Sequence, residues 1–141
     1  FLQKLSYQEG ARFLKECRRV LKPNSGKMRI ISTDAGFLCG LLTSEGFSRP
    51  GISNLSDFSE INDNVANAKT NQQRLWALVH EGHSASYDCA TLYEMLLEAN
   101  LIYTNSKEDI DFRKGDGQIL RETLDVLPCL SFYTEAIPMT D

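Results

Sequence analysis

The stretch that most constrains this chain is FLKECRRVLKPNSGKMRIISTD, Phe13 to Asp34, in which a cationic helix end meets a proline, a short turn and an apolar run ending on an aspartate. Ser6-Tyr7-Gln8-Glu9 upstream fits a capping box, in which the serine hydroxyl takes an N3 amide and the glutamate reaches back to the N-cap amide, so a helix starts there. Tyr7, Ala11, Leu14 and Leu21 recur at helical spacing, and Phe13, Cys17 and Val20 widen that stripe into a broad apolar surface. Arg18, Arg19 and Lys22 fall in the last turn, where orphan carbonyls and the negative end of the helix dipole favour cations. Pro23 stops the helix, Asn24-Ser25-Gly26 makes the turn, and Met28-Arg29-Ile30-Ile31 reads as a strand. Its lack of alternation predicts burial on both faces of a parallel sheet. Asp34 lies just past the carboxyl end of that strand, where open α/β sheets place ligands. It is either a carboxylate on the rim of a site or the N-cap of a helix carrying Phe37, Leu38, Leu41 and Leu42.

The rest of the chain alternates in the same way. Thr43 to Thr70 is polar and punctuated by Gly46, Pro50 and Gly51, which predicts loop and short helix over the carboxyl edge of the sheet, in the position of a lid. Asn71 to Val79 reads as a helix, and Trp76, among leucines, is expected in the core, the alternative being that it lines a pocket. Asp88 is placed to cap a helix with Leu92, Met95, Leu96 and Ala99 inside, and Asn100 to end it in the left-handed conformation. Leu101-Ile102-Tyr103 begins a strand, and Cys129 to Ala136 forms the last one, bounded by Pro128 and Pro138. Lys107 to Asp125 is charged, and its Gly115-Asp116-Gly117 is too isolated for a phosphate cradle. These elements form one α/β domain over residues 1–141.

Both histidines of the chain lie in HEGHSASYD, His80 to Asp88. The spacing is not HExxH and no third ligand stands nearby, so no metal site is expected. His83 is the candidate general base or substrate-orienting group, since an unperturbed imidazole titrates near working pH; the alternative is a histidine that hydrogen-bonds its own loop. A net charge of −4 with scattered Lys and Arg argues against a nucleic-acid partner. No apolar run reaches membrane length, and four widely separated cysteines without a CxxC pair read as reduced thiols of a cytoplasmic protein.

The blocks RFLKECRRVLKPNSGKMRIISTD, HSASYDCATLYEMLLEANL and SFYTEA, in that order, resemble the carboxyl half of a class I, Rossmann-like S-adenosylmethionine-dependent methyltransferase, of the small predicted type. The resemblance spans most of the chain outside the Thr43 to Thr70 and Lys107 to Pro128 segments. It implies strands five to seven of that sheet with flanking helices, and a helical excursion after strand five. It also implies that strand five, Met28 to Ser32, pairs with the closing strand seven. The activity implied is methyl transfer to a small-molecule acceptor, with His83 as catalytic residue and Asp34, Tyr87 and Asp88 on the substrate side. S-adenosylmethionine is the implied cofactor, but the Gly-rich turn and acidic residue that hold it belong to earlier strands, and no GxGxG occurs in this chain. The chain, which opens on Phe1 rather than methionine, is therefore expected to be part of something longer with its N-terminal half missing; the alternatives are one subunit of a split enzyme completed by another chain, or a non-catalytic methyltransferase-like binding module, and association into a homo-oligomer is a separate expectation. Gln3-Lys4, Thr33, Asn24-Ser25 and Asn100 are the positions at which it departs from the family's usual residues.

Overall fold

The computed structural model describes residues 1–43, 52, 54–80, 82–104 and 131–140. Gly46, Pro50 and Gly51, the segment from Lys107 through Pro128, and Cys129 and Leu130 of the last expected strand lie outside them. Among the described residues the chain forms five α-helices and a three-stranded antiparallel sheet: α1 (Tyr7–Val20), β1 (Met28–Thr33), α2 (Ala35–Thr43), α3 (Asp63–Ala66), α4 (Asn71–Val79), α5 (Cys89–Glu98), β2 (Leu101–Tyr103) and β3 (Ser131–Pro138).

The local signals act as their chemistry requires. Ser6 Oγ accepts from the Glu9 amide at 3.3 Å while Glu9 Oε2 accepts from the Ser6 amide at 2.9 Å, closing the capping box of α1. Asp88 caps α5 through the Thr91 amide at 2.7 Å, and Asn100 ends it at a φ of 57°. Asn has the short polar side chain that tolerates this conformation. Arg18 does more than the expectation required. Besides lying in the last turn of its own helix, it donates from Nε to the Asn100 carbonyl at 3.1 Å and from Nη2 to the Met139 carbonyl at 3.2 Å, tying α1 to the turn before β2 and to the end of β3.

The sheet order is β1-β3-β2, with β3 antiparallel to both neighbours. Met28 lies opposite Ala136 and Thr33 opposite Ser131, so the first strand is paired with the last and not with the next in sequence. The expectation of a parallel sheet with β1 buried on both faces is corrected here. β1 alternates, with Ile30 and Ser32 buried and Arg29, Ile31 and Thr33 less so. Arg29 breaks the apolar run, and its guanidinium meets Glu135 directly across the ladder at 2.9 Å. Within the described residues β3 runs further than the Ala136 end predicted for it. Pro138, expected as a boundary, is its last residue, at the strand end where Leu101 alone is opposite and a missing N–H is tolerated.

One face of the sheet packs on α1 and α5 through a core of Leu2, Leu14, Ile30, Tyr87, Leu92, Leu96, Leu101, Phe132 and Ala136. Full burial of each such leucine contributes roughly 1.5–3 kcal/mol. A second cluster gathers Phe37, Leu38 and Leu41 of α2 with Leu55, Phe58, Val65 and Leu78. The segment after α2, expected as loop and short helix, contains a 3-10 turn and a short helix in its described residues, and it adds a small core that its polar composition did not announce. The physical reason is that Leu55, Phe58 and Val65, thinly spread among Asn, Ser and Asp, all turn inward from one 3-10 turn and one short helix. No helix among the described residues is long and apolar enough to cross a membrane.

Candidate functional site

The HEGHSASYD stretch follows α4, a helix started by a Thr70–Gln73 capping box. It leaves α4 through His80, turns at Gly82, whose φ of 71° suits glycine, and then runs toward the end of β1. Backbone bonds hold it on both sides. The Ser84 and Ala85 amides donate to the Gln3 carbonyl at 2.8 and 3.1 Å, and the Ala35 amide donates to the Tyr87 carbonyl at 2.9 Å. The Tyr7 hydroxyl donates to the Ser86 carbonyl at 2.6 Å. An isolated parallel bridge joins Asp34 to Tyr87.

His83 is half-buried, and its Nδ1 lies 3.3 Å from the Val79 carbonyl oxygen. A carbonyl only accepts, so this contact assigns the proton of the neutral imidazole to Nδ1 and leaves the Nε2 lone pair as the acceptor. The ring borders a pocket of about 210 Å3 that Tyr7, Trp76, His80, Ser84 and Ser86 also line. Trp76 is 63% exposed and stacks on the His80 ring at a centroid distance of 4.1 Å. The expectation that Trp76 is core is thus corrected. The signal was present in the sequence: Leu75, Leu78 and Val79 share a helix face at spacings of three and four, and Trp76 falls about 200° from Leu78, turned away from it.

Asp34 is buried, and its Oδ1 accepts from the Phe37 amide at 3.1 Å, so it caps α2. Asp88 caps α5, and the Thr91 amide is the main reason its carboxyl is held below the ordinary range. The two acids meet across Gly36. A Cβ there would lie 3.2 Å from Asp88 Cβ and 3.3 Å from Asp34 Oδ1. Tyr87 is fully buried under α1, and its hydroxyl has no hydrogen-bond partner among the described residues. Burial, with Tyr7 adding to it, pushes the Tyr87 phenol above its ordinary pKa. The structure therefore brings Asp34 and Asp88 together, sets Tyr87 in the core beside them, and places His83 in a separate pocket that neither acid lines.

Sequence reasoning missed Tyr7 as a site residue. Its position in the apolar stripe of α1 suggested core, whereas 47% of it is exposed and it borders the His83 pocket. Among the described residues no group of three His, Cys, Asp or Glu side chains is placed to hold a metal ion. Comparisons with family models, with curated proteins and with solved structures find no match to this chain.

Proposed function

We propose that this chain is the substrate-side, carboxyl-terminal portion of an S-adenosylmethionine-dependent methyltransferase that acts on a small-molecule acceptor. The observation that carries the reading is the pairing of β1 with the last strand instead of the next, which is the neighbour relation the resemblance implies for strands five and seven. The segment that carries His83 is tied to the end of β1 by the Asp34–Tyr87 bridge, which links the imidazole to that strand pair.

The described residues do not form a seat for the cofactor. Gly36 is the glycine nearest the end of β1, but its missing Cβ admits the side chains of Asp34 and Asp88, and an oxygen of each of those acids is engaged by a helix amide. No step is derived through the cofactor on this chain. What the chain supplies is the acceptor side. The Nε2 lone pair of His83 can take a hydrogen bond, and then a proton, from an O–H or N–H that becomes the nucleophile. Such general-base help is worth roughly 10²–10⁴-fold in rate where a proton must leave.

Calorimetric titration of S-adenosylmethionine tests the reading. The 141-residue chain alone should give no saturable heat, and the same chain joined to an N-terminal half that carries the cofactor-holding strands should bind. In the binding-competent protein, His83→Ala should lower turnover while leaving cofactor affinity nearly unchanged. Unchanged turnover would return His83 to a loop-holding role, and absence of binding by both proteins would remove the methyltransferase reading. One observation favours a second reading, a non-catalytic methyltransferase-like binding module or one subunit of a split enzyme: Asp34 and Asp88 both act as helix caps, leaving the histidine apart from them. Binding of a small acceptor without cofactor binding would select the binding module.

A further inference from the structure

We propose that the pocket between the end of α4 and the start of α1 binds a small, flat, uncharged aromatic molecule carrying an O–H or N–H donor, a phenol or an aromatic amine, and that this molecule is the methyl acceptor. The second clause rests on the methyltransferase reading; the first does not.

Four of the walls are rings: Tyr7, Trp76, His80 and His83. Trp76 is 63% exposed, so its indole is accessible for a flat ring to stack on. The indole is not loose, because the His80 ring packs against it at a centroid distance of 4.1 Å. The space is about 210 Å3, and a cavity of about 150 Å3 holds benzene, so one ring with a small substituent fits.

The polar groups choose the substituent. His83 donates from Nδ1 to the Val79 carbonyl, so the nitrogen it has left is an acceptor and calls for a donor on the ligand. Among the described residues no carboxylate, lysine or arginine lines the pocket, so a charged ligand would lose its hydration without gaining a counter-charge from them. The walls are also set before any ligand arrives. Ser84 and Ala85 are bonded to the Gln3 carbonyl, and the Tyr7 hydroxyl to the Ser86 carbonyl, so binding need not order the loop.

Trp76 is the single tryptophan of the chain, so its fluorescence reports the pocket directly. Phenol titrated into the chain should change that emission saturably, with a dissociation constant in the millimolar range expected for so few atoms. Cyclohexanol keeps the donor without the ring, and anisole keeps the ring without the donor. Each should bind about threefold to tenfold more weakly than phenol. Followed by amide chemical shifts, His83→Phe should weaken phenol by the same factor and leave anisole unchanged, whereas Trp76→Leu should weaken both aromatics and leave cyclohexanol unchanged. Absence of saturable binding overturns the site, equal binding of cyclohexanol overturns the aromatic class, and equal binding of anisole overturns the role of His83 as acceptor. Failure of the functional reading looks different. Phenol that binds as expected but is never methylated by a cofactor-binding form of the protein removes the methyltransferase reading and keeps the site; methylation of an aliphatic acceptor with no phenol binding removes the site and keeps the reading.

Discussion

Replacing Gly10 by alanine sets two quantities of known size against each other. Gly10 is the fourth residue of α1 and is buried, with its amide bonded to the Ser6 carbonyl at 2.8 Å. In a helix, alanine is better than glycine by roughly 0.5–1 kcal/mol. The new Cβ, however, would lie 3.0 Å from the Tyr87 hydroxyl, a crowded distance, with Leu2 Cδ1 and Met95 Cε at 3.4 Å. Tyr87 is fully buried and packed edge-on against the Tyr7 ring at 5.6 Å, so it has little room to retreat. Overpacking of this kind costs about 1–3 kcal/mol, which exceeds the helix gain, and Gly10→Ala should destabilise the chain by about 1 kcal/mol. Tyr87→Phe deletes the crowding atom, and that atom is a buried hydroxyl with no partner among the described residues, a burden of about 1–3 kcal/mol. Tyr87→Phe should therefore stabilise by about 1 kcal/mol, or roughly 2–4 °C in Tm, and Gly10→Ala made in its background should be stabilising. Urea unfolding of the four proteins, followed by circular dichroism, closes the cycle. A coupling below about 0.5 kcal/mol would refute the clash, and a destabilising Tyr87→Phe would mean that the hydroxyl is hydrogen-bonded in solution, through a bound water.

The Arg29–Glu135 pair is almost wholly buried, its side chains 7% and 10% exposed, and the guanidinium also lies 5.2 Å from the Tyr133 ring centre. Arg29→Ala should cost about 3–5 kcal/mol by leaving Glu135 without the cation that faces it, and replacing both by leucine should recover most of that in the same unfolding assay. The Asp88 carboxyl is held below the ordinary 3.8, so the stability it adds is present above that value and is lost as pH falls through the lower folded-state value. Asp88→Asn keeps an equally good cap without the titration, so the loss of unfolding free energy between pH 6 and about pH 3 should be smaller in the variant than in the parent. Among the described residues no strand pairs with the outer edge of β1, and Phe13 and Val20 on α1 are 37% and 66% exposed, so the isolated chain should associate with concentration in light scattering. A stable monomer whose β1 amides exchange as slowly as those of β3 would count against that.

Features governed by nearest neighbours in the chain were legible in the sequence. The Ser6–Glu9 box, the Asp88 cap, the left-handed Asn100 and the turn after Pro23 all depend on a few adjacent residues, and each can be read from them. What was not legible depended on partners far away. Arg18 looks like a helix-end cation until Asn100 and Met139 arrive from the other end of the chain. The apolar run of β1 looks like a parallel strand until Glu135 comes to sit opposite Arg29. The site divides along the same line. Asp34 had two open readings because a carboxylate before a helix serves as a cap or a ligand group with equal ease, and only the bond it accepts from the Phe37 amide, where it meets Asp88 across Gly36, shows which it is.

That meeting bears on where chemistry can occur in this chain. A carboxylate that caps a helix is stabilised in its charged form by the amide it accepts from, as the lowered Asp88 carboxyl shows, and a group so stabilised is a poor proton acceptor at neutral pH. It is also poorly placed to turn toward a ligand, since doing so would leave the helix amide unsatisfied at a cost of about 1 kcal/mol or more. The end of β1 is thus a joint, where the starts of α2 and α5 are drawn close over a residue without a side chain. The imidazole of His83 has the opposite disposition. Its one assigned bond, to the Val79 carbonyl, occupies the donor nitrogen, fixes the ring and leaves the basic nitrogen for another molecule. Of the four residues the sequence singles out, His83 is therefore the one whose hydrogen bonding prepares it to act on a ligand, and the aromatic walls around it are the place to look for that ligand.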